Sequence, residues 1–232
     1  VVWPDLDHAP HAGQFFTLRA WGADEAPFLS RPISVHRWNP DSSTIEFLYQ
    51  VVGEGTEKLA QLKQQDTFQL TGPMGNGFDV PDIVSKYKKI AVVGGGIGTA
   101  PLLLLCKELC RAGVRPDLFV GFRDTTYGMD RFVPWCRDIY AATDSGKEGH
   151  HGLVTDLLDV SKYDIVLTCG PMVMMRGVAK LCAAAGVPCL ASLEKKMACG
   201  LGACLGCTCH TKIGPVTVCK DGPVFNAQEV FD

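Results

Sequence analysis

The sequence predicts three successive units: a small antiparallel β barrel, a doubly wound α/β domain with a parallel sheet, and a C-terminal cysteine-rich module. The first prediction rests on short strand-like runs separated by turn signals across residues 13–72. The second rests on apolar strands that alternate with helices across residues 89–190. The third rests on four regularly spaced cysteines near the C-terminus. These observations place the domains at residues 1–86, 87–190 and 191–232.

Composition limits the classes of function. The chain has 232 residues, 47% of them hydrophobic, which is enough for two domains of ordinary size or one large one. A net charge of −3 offers no basic footprint for nucleic acid or an anionic membrane surface. The longest apolar run, residues 90–106, is interrupted by glycines, so we expect no membrane span. Eleven cysteines without a recognisable secretory signal indicate a reducing cytosol, and we expect a cytoplasmic protein.

The predicted barrel contains one arginine motif of interest. Its strands are predicted at residues 14–20, 33–37, 45–51 and 67–71. The motif Arg31-Pro32-Ile33-Ser34 fixes an arginine beside a rigid proline, with a hydroxyl two residues beyond that proline. Such a group can hold a phosphate and the edge of an isoalloxazine ring together. An ordinary surface arginine on a strand explains the same residues equally well.

A glycine-rich turn follows the third predicted strand. Gly53-Glu-Gly55-Thr56 leads into a helix predicted over residues 57–64, with Thr56 as its N-cap. The free N–H groups of a helix start suit a pyrophosphate, although an ordinary capped helix is the plainer alternative. The residues before the turn, Leu48, Tyr49 and Gln50, suit the flank of a flavin and its ribityl chain, but Tyr49 suits the core as well. Residues 72–78 carry turn signals that end the barrel, and residues 79–89 are predicted as a linker.

The α/β domain carries two glycine turns. Its strands are predicted at residues 89–93, 117–122, 139–143 and 165–169, and its helices at residues 100–112, 131–136, 154–158 and 172–185. The turn after its first strand is where open α/β sheets bind ligands. Thr99 stands where the dinucleotide fingerprint requires glycine, so this motif alone indicates only a nucleotide or phosphate site. A second turn at the same sheet edge favours a dinucleotide cleft over tight packing; the predicted contacts are Gly96, Gly98, Thr99, Cys169, Gly170, Pro171 and Met172.

The C-terminal cysteines have the spacing C-x4-C-x2-C-x11-C, at Cys199, Cys204, Cys207 and Cys219. This spacing is typical of plant-type [2Fe-2S] clusters, in which four thiolates hold two irons. Glycines 200, 202 and 206 allow the backbone to wrap closely around such a cluster. Structural zinc and disulfides remain the alternatives, although zinc usually shows two paired knuckles. Cys209 fits no ligand position.

Taken in order, these motifs resemble the ferredoxin–NADP reductase superfamily, and within it the electron-transfer subunits of NAD-dependent (type B) dihydroorotate dehydrogenases. The resemblance covers nearly the whole chain, and its most specific part is the cysteine loop followed by Asp221-Gly-Pro-Val-Phe225. It implies an FAD-binding barrel, a nicotinamide-nucleotide domain and a [2Fe-2S] module. It also implies site residues by position. The FAD contacts are Arg31, Pro32, Ile33, Ser34, Leu48, Tyr49, Gln50, Gly55 and Thr56, and the cluster ligands are Cys199, Cys204, Cys207 and Cys219.

The resemblance implies a function in pyrimidine biosynthesis. Electrons from NADH would pass through FAD and the cluster to an FMN-bearing catalytic subunit that oxidises dihydroorotate to orotate, in a heterotetramer with two copies of each subunit. No residue has the character of a general base, so the catalytic residues are unknown. Arg123 and Asp124 indicate opposite nucleotide preferences, and the resemblance favours NADH. The alternatives are a related reductase subunit linked to ferredoxin, sulfide or a hydrogenase, and a zinc-holding structural or regulatory protein.

Overall fold

The structure is a computed structural model that describes residues 1–2 and 8–231. Residues 3–7 and residue 232, which fall within the first and third predicted domains, lie outside the described residues. Within the described ranges, none of the helices combines the length and the apolar character needed to cross a bilayer.

The N-terminal part forms a four-stranded antiparallel sheet in the order β3-β2-β1-β4. Alternate strand positions, among them Phe16, Val35 and Ile45, are fully buried, so one face of the sheet packs on the core. The elements of this part are β1 (Phe15–Arg19), β2 (Arg31–Asn39), β3 (Thr44–Phe47), α1 (Glu54–Ala60), β4 (Gln69–Met74) and α2 (Val80–Lys86).

Three local predictions in this part are wrong. The third strand ends at Phe47 rather than at residue 51. Helix α1 spans Glu54–Ala60 rather than residues 57–64, and Thr56 is its third residue rather than its N-cap, with a hydroxyl that accepts the N–H groups of residues 52 and 53. The predicted linker contains α2, because the Asp79 carboxylate accepts the N–H of Asp82 at 3.0 Å and caps the helix.

The α/β domain is built on a seven-stranded sheet in the order β13-β10-β9-β5-β6-β7-β8. All neighbouring strands in it are parallel except β13, which pairs antiparallel with β10. The elements of this sheet and its helices are β5 (Ile90–Gly95), α3 (Leu102–Arg111), β6 (Asp117–Phe122), β7 (Ile139–Thr143), β8 (His150–His151), β9 (Ile165–Cys169), α4 (Met172–Ala185), β10 (Cys189–Ser192) and β13 (Val224–Asn226).

The two long helices cover opposite faces of this sheet, which confirms the doubly wound prediction. Leu105 of α3 shares a core with Val92, whereas Met175 of α4 shares a second core with Val93. Because neighbouring strand residues point to opposite faces, adjacent valines of β5 serve different cores. The first of these cores also contains Phe16 of the antiparallel sheet, so α3 packs between the two sheets.

Two predicted helices of the α/β domain are wrong. Residues 131–136 form only the end of a 3₁₀ turn, Met129–Arg131, followed by an irregular turn. Pro134 lacks a backbone donor and therefore cannot continue a helix. Residues 154–158 form the 3₁₀ turn Val154–Asp156, in which the following N–H groups bond three residues back.

The C-terminal segment attaches the cysteine loop to the large sheet. The predicted hairpin at residues 208–218 is present as β11 (Thr208–Thr211) and β12 (Gly214–Thr217). Strand β13 then joins the edge of the seven-stranded sheet, with Phe225 opposite Ala191, and α5 (Ala227–Val230) follows it. The cysteine loop thus lies between β10 and β13, which pair with each other in the large sheet.

Candidate functional site

Backbone N–H groups point at the sulfurs throughout the cysteine loop. This arrangement needs a tightly curved backbone, and Gly200, Gly202 and Leu205 take φ values of +70°, +79° and +58°. Glycine adopts such values without strain, which explains two of the three residues. The donors to sulfur are Leu201 N and Cys204 N to Cys199 (both 3.4 Å), Gly202 N to Cys219 (3.1 Å), Gly206 N to Cys204 (3.4 Å) and Cys219 N to Cys207 (3.4 Å).

The four predicted ligands form two pairs. The side chains of Cys199 and Cys204 interact with each other, and so do those of Cys207 and Cys219. Two separate thiol pairs suit two irons with two thiolates each, whereas zinc requires all four ligands around one ion.

The two pairs have different environments. Cys207 and Cys219 are each only 2% exposed, whereas Cys204 is exposed and Cys199 is partly so. The N–H groups of Leu201 and Cys204 lower the pKa of Cys199 to about 6, while burial raises the pKa of Cys219 to about 11. A metal binds the thiolate form, and the N–H groups around Cys199 favour that form.

Cys209 lies in the same region but on strand β11. Its thiol is buried, and this burial raises its pKa. None of the N–H···S bonds of the loop in the described chain reaches it. All eleven cysteines are free, so the structure contains no disulfide in this loop.

The two glycine turns of the α/β domain meet at the carboxyl edge of the sheet. Strands β5 and β9 are neighbours, with Gly94 opposite Cys169. The turns pack so closely that a Cβ on Gly98 would lie 2.4 Å from the Cα of Gly170. A Cβ on Gly96, in contrast, would meet no atom within 4 Å, so this residue faces open space. The predicted nucleotide residues therefore form one continuous backbone surface with room beside it.

Two predicted residues of these turns, Thr99 and Cys169, have partners that sequence reasoning missed, Tyr127 and Ser192. Thr99 is buried and bonds to the Gly96 carbonyl at 2.8 Å, and it also shares a hydrogen bond with the Tyr127 hydroxyl. Burial raises the pKa of the Cys169 thiol to about 12, and the Ser192 hydroxyl bonds to it. Ser192 escaped notice because no strand was predicted over residues 189–192.

The predicted flavin residues fall into two groups. The guanidinium of Arg31 lies against Gly55, where a Cβ would approach its Nε to 2.5 Å, and its other side faces the Trp21 ring at 5.7 Å. The structure thus joins the arginine motif to the start of α1. Leu48, Tyr49 and Gln50 lie in the connection between β3 and α1, at the end of the sheet where Val35 pairs with Phe47.

Comparison with known proteins identifies the family to which the chain belongs. Residues 194–231 match the family model for the iron–sulfur cluster binding domain of dihydroorotate dehydrogenase B. The electron transfer subunit of dihydroorotate dehydrogenase B (NAD(+)) from Clostridium acetobutylicum is 47% identical, over 94% of this chain and 85% of that protein. The corresponding subunit from Clostridium perfringens is 43% identical, over 95% of this chain and 87% of that protein.

Solved structures show the same architecture. The structure of an NADH-dependent reduced ferredoxin-NADP oxidoreductase, studied for flavin-based electron bifurcation, aligns with a TM-score of 0.82 and 28% identity, over 95% of this chain and 79% of that one. A ferredoxin NADP+ reductase from Neisseria gonorrhoeae with bound FAD and NADP aligns with a TM-score of 0.64 and 18% identity, over 80% of this chain and 83% of that one, and shows the fold alone. On the strength of its close relatives, this chain belongs to the family of electron transfer subunits of dihydroorotate dehydrogenase B (NAD(+)).

Proposed function

We propose that this chain takes electrons from NADH and delivers them to the catalytic subunit of a dihydroorotate dehydrogenase B, with FAD and a [2Fe-2S] cluster as its resident cofactors. The observation that carries the proposal is the cysteine loop, in which two thiol pairs are surrounded by backbone N–H donors. FAD, when bound, accepts two electrons together and releases them singly, and a [2Fe-2S] cluster carries one electron at a time. Family membership and the reductase fold agree with both cofactors.

The cluster ligands in this proposal are Cys199, Cys204, Cys207 and Cys219. The N–H groups aimed at their sulfurs stabilise negative charge there and hold the loop in shape. The inner pair is shielded from water, while the outer pair lies at the surface beside Leu201 and Leu205, which are 68% and 64% exposed. This exposed edge is the route by which an electron would leave the chain.

The FAD site in this proposal begins at Arg31. A guanidinium held against Gly55 is suited to pair with a phosphate of the dinucleotide, and Gly55 is required because any side chain there would displace it. The remaining contacts are assigned to Pro32, Ile33, Ser34, Leu48, Tyr49, Gln50 and Thr56.

The NADH site in this proposal lies where the two glycine turns meet. The pyrophosphate would rest on the backbone of Gly96, Gly98 and Thr99, and the absence of a side chain at Gly96 leaves room for its close approach. Asp124, two residues after β6, would accept hydrogen bonds from the ribose hydroxyls of NADH, and its carboxylate pairs with Lys147 at 3.2 Å. The second turn, Cys169, Gly170, Pro171 and Met172, would flank the nicotinamide end.

The partner in this proposal carries FMN, and two copies of each subunit form the assembly. The family name supports a dihydroorotate dehydrogenase partner, and the exposed edge of the cysteine loop supplies a contact surface. We place the protein in the cytoplasm because its eleven free cysteines suit a reducing compartment.

A visible spectrum of the anaerobically purified chain, with iron and sulfide assays, tests the cofactor assignment. We expect a flavin band overlaid by broad absorption at longer wavelength, and iron with acid-labile sulfide. Stopped-flow mixing with NADH should then bleach the flavin band before the iron–sulfur band. The reverse order, or zinc without sulfide, contradicts the proposal. Purification with a dihydroorotate dehydrogenase subunit, rather than with a ferredoxin- or hydrogenase-linked one, tests the partner.

A further inference from the structure

A buried histidine links the antiparallel sheet to the nucleotide turn. His36 on β2 is 3% exposed, and its Nδ1 lies 2.6 Å from the carbonyl oxygen of Ala100. Ala100 directly follows the turn that carries Gly96, Gly98 and Thr99. The pairing register of β2 with β3 shifts between Val35 and Arg37, so His36 sits at a strand irregularity. Such irregularities re-aim side chains, and this one faces the start of α3.

The second ring nitrogen of His36 has a partner in the α/β domain. Nη1 of Arg131 lies 2.9 Å from Nε2 of His36, and Nη2 of the same guanidinium bonds to the Glu46 carboxylate on β3. A carbonyl can only accept and a guanidinium can only donate, so His36 must carry its proton on Nδ1 and accept at Nε2. The imidazole is therefore neutral, and its tautomer is fixed by two groups of the neighbouring domain.

The nucleotide turn is braced within itself. The hydroxyl of Thr99 bonds to the Gly96 carbonyl, and the N–H of Ala100 bonds to the Ile97 carbonyl at 2.9 Å. Any element that holds Ala100 consequently holds the whole turn. His36 also lies only two residues beyond Ser34, on the strand to which the flavin contacts are assigned. One short side chain thus connects the strand beside the flavin to the turn beside NADH.

We infer that His36 is a positioning residue, which together with Arg131 sets the NADH-binding turn at a fixed distance and angle from the flavin-binding strand. The inference rests on the proposed function, since the value of this alignment lies in bringing the nicotinamide to the flavin. Hydride transfer depends steeply on such alignment, and small displacements cost large factors in rate. The role inferred for His36 is indirect, because the residue holds the turn in place and does not itself bind either nucleotide.

Two variants separate this role from general stability. His36→Asn keeps a donor near the Nδ1 position but removes the acceptor for Arg131, and Arg131→Met removes the guanidinium. The matched control is Lys107→Met, which also removes one positive charge. Lys107 on α3 bonds to the Trp38 carbonyl of β2 at 2.8 Å. It therefore links β2 to α3, as His36 links β2 to the start of α3, but at a point further along the helix from Ala100.

The first measurement is amide hydrogen exchange of residues 96–101 in the complete protein. We expect the amides to exchange at least about fivefold faster than in the wild type in His36→Asn and Arg131→Met, and at the wild-type rate in Lys107→Met. The second is stopped-flow reduction of the bound flavin by NADH. We expect the limiting rate constant to fall about tenfold in both variants, with the Kd for NADH changed much less. Should His36→Asn not fold, Arg131→Met carries both measurements.

A pH profile adds an independent readout. Burial lowers the pKa of His36, and the groups that face the ring are Arg131, Glu46 and, from its own strand, Arg37. Protonation at Nε2 would place two cations together, so the wild-type limiting rate should fall only at a pH lower than the ordinary histidine value of about 6.5. His36→Asn should lose this dependence.

Wild-type exchange and wild-type reduction rates in both variants would overturn the inference, as would equal effects in Lys107→Met. Failure of the proposed function has a different signature, because NADH would then leave the wild-type flavin band unbleached. The exchange measurement decides the role of His36 and Arg131 in either case.

Discussion

The cysteine loop and the paired glycine turns are both built from backbone, yet they depend on different parts of the sequence. In the loop, the N–H donors to Cys199 and Cys204 lie two to five residues further along the chain, and only the bonds from Gly202 to Cys219 and from Cys219 to Cys207 join the loop to the fourth cysteine among the described N–H···S bonds. The glycine turns are separated in sequence by four strands, β6 to β9, and meet only because β5 and β9 are neighbours in the sheet. The cluster site is thus encoded by local spacing, whereas the nucleotide site is encoded by the packing of the whole domain.

The largest expected effect is the loss of the cluster, and it tests whether the loop site depends on its thiols alone. Cys219→Ser should abolish iron and sulfide binding, because Cys219 is the buried ligand supplied from outside the tight loop. Flavin content should be unchanged, because none of the residues assigned to FAD belongs to the loop. Iron and sulfide assays on the anaerobically purified variant check the first result, and flavin absorbance checks the second.

Cys209→Ser is the matched control for this experiment. Its thiol is also buried and lies within the same segment, but no backbone N–H of the loop points at it among the described residues. We expect wild-type iron content. Equal loss of iron in both variants would mean that the ligand set has been misassigned and that burial, rather than spacing, decides which cysteines bind.

The next largest effect concerns the contact between the two turns. Gly98→Ala would place a Cβ 2.4 Å from the Cα of Gly170, and neither backbone can move without disturbing the sheet. We expect a loss of about 3 kcal/mol in the free energy of unfolding, typical of severe overpacking. Denaturant unfolding measures this loss, and NADH titration should show weakened binding.

Gly96→Ala separates crowding from backbone strain in the same turn. Its Cβ would meet no atom within 4 Å, but its φ of +51° is unfavourable for alanine. We expect a loss of only about 1 kcal/mol. If Gly98→Ala is as stable as Gly96→Ala, the nucleotide site does not depend on close packing between distant segments, and the proposed contrast with the cysteine loop is wrong.

The same contrast explains which features the sequence could predict. The cysteine ligands follow from spacing, and strand β6 and helix α4 follow from apolar periodicity, since their bounds match the predictions at every residue. Thr56 was misread because a hydroxyl that bonds backward within a helix has the same sequence signature as an N-cap. His36 carried no signal, because its two partners, Ala100 and Arg131, are brought to it only by domain packing.

A smaller effect concerns the contact of α3 with the N-terminal segment. Both carboxylate oxygens of Glu108 lie 3.2 Å from the N–H of Ala12, and burial raises the pKa of Glu108 to about 7 from its ordinary 4.5. The folded state therefore holds more protons than the unfolded state between these values, so stability should fall as the pH rises from about 4.5 to about 7. Partial screening limits the change to about 1–2 kcal/mol.

Glu108→Gln checks this expectation. Its amide oxygen still accepts the Ala12 N–H, but it cannot ionise, so the stability of the variant should lack this component of the pH dependence. Denaturant unfolding at pH 5 and pH 8 gives the comparison. If the free energy of unfolding changes between pH 5 and pH 8 by the same amount in the variant as in the wild type, the pH dependence comes from other groups and not from Glu108.

The smallest effect tests how much of the loop site is backbone geometry. Gly202→Ala requires alanine at a φ of +79°, and its Cβ would approach the Lys220 side chain at 2.7 Å. Because that side chain is flexible and can move aside, the expected loss is about 1 kcal/mol, from backbone strain alone. Gly206→Ala is the control, since Gly206 has no positive φ and its Cβ would meet only the Cys204 sulfur, at 3.5 Å. Thermal unfolding of the two variants should differ by a few degrees, with equal iron content. If Gly202→Ala instead loses iron, the N–H that reaches Cys219 is as necessary as the thiol itself, and the loop depends on conformation as strongly as the glycine turns depend on packing.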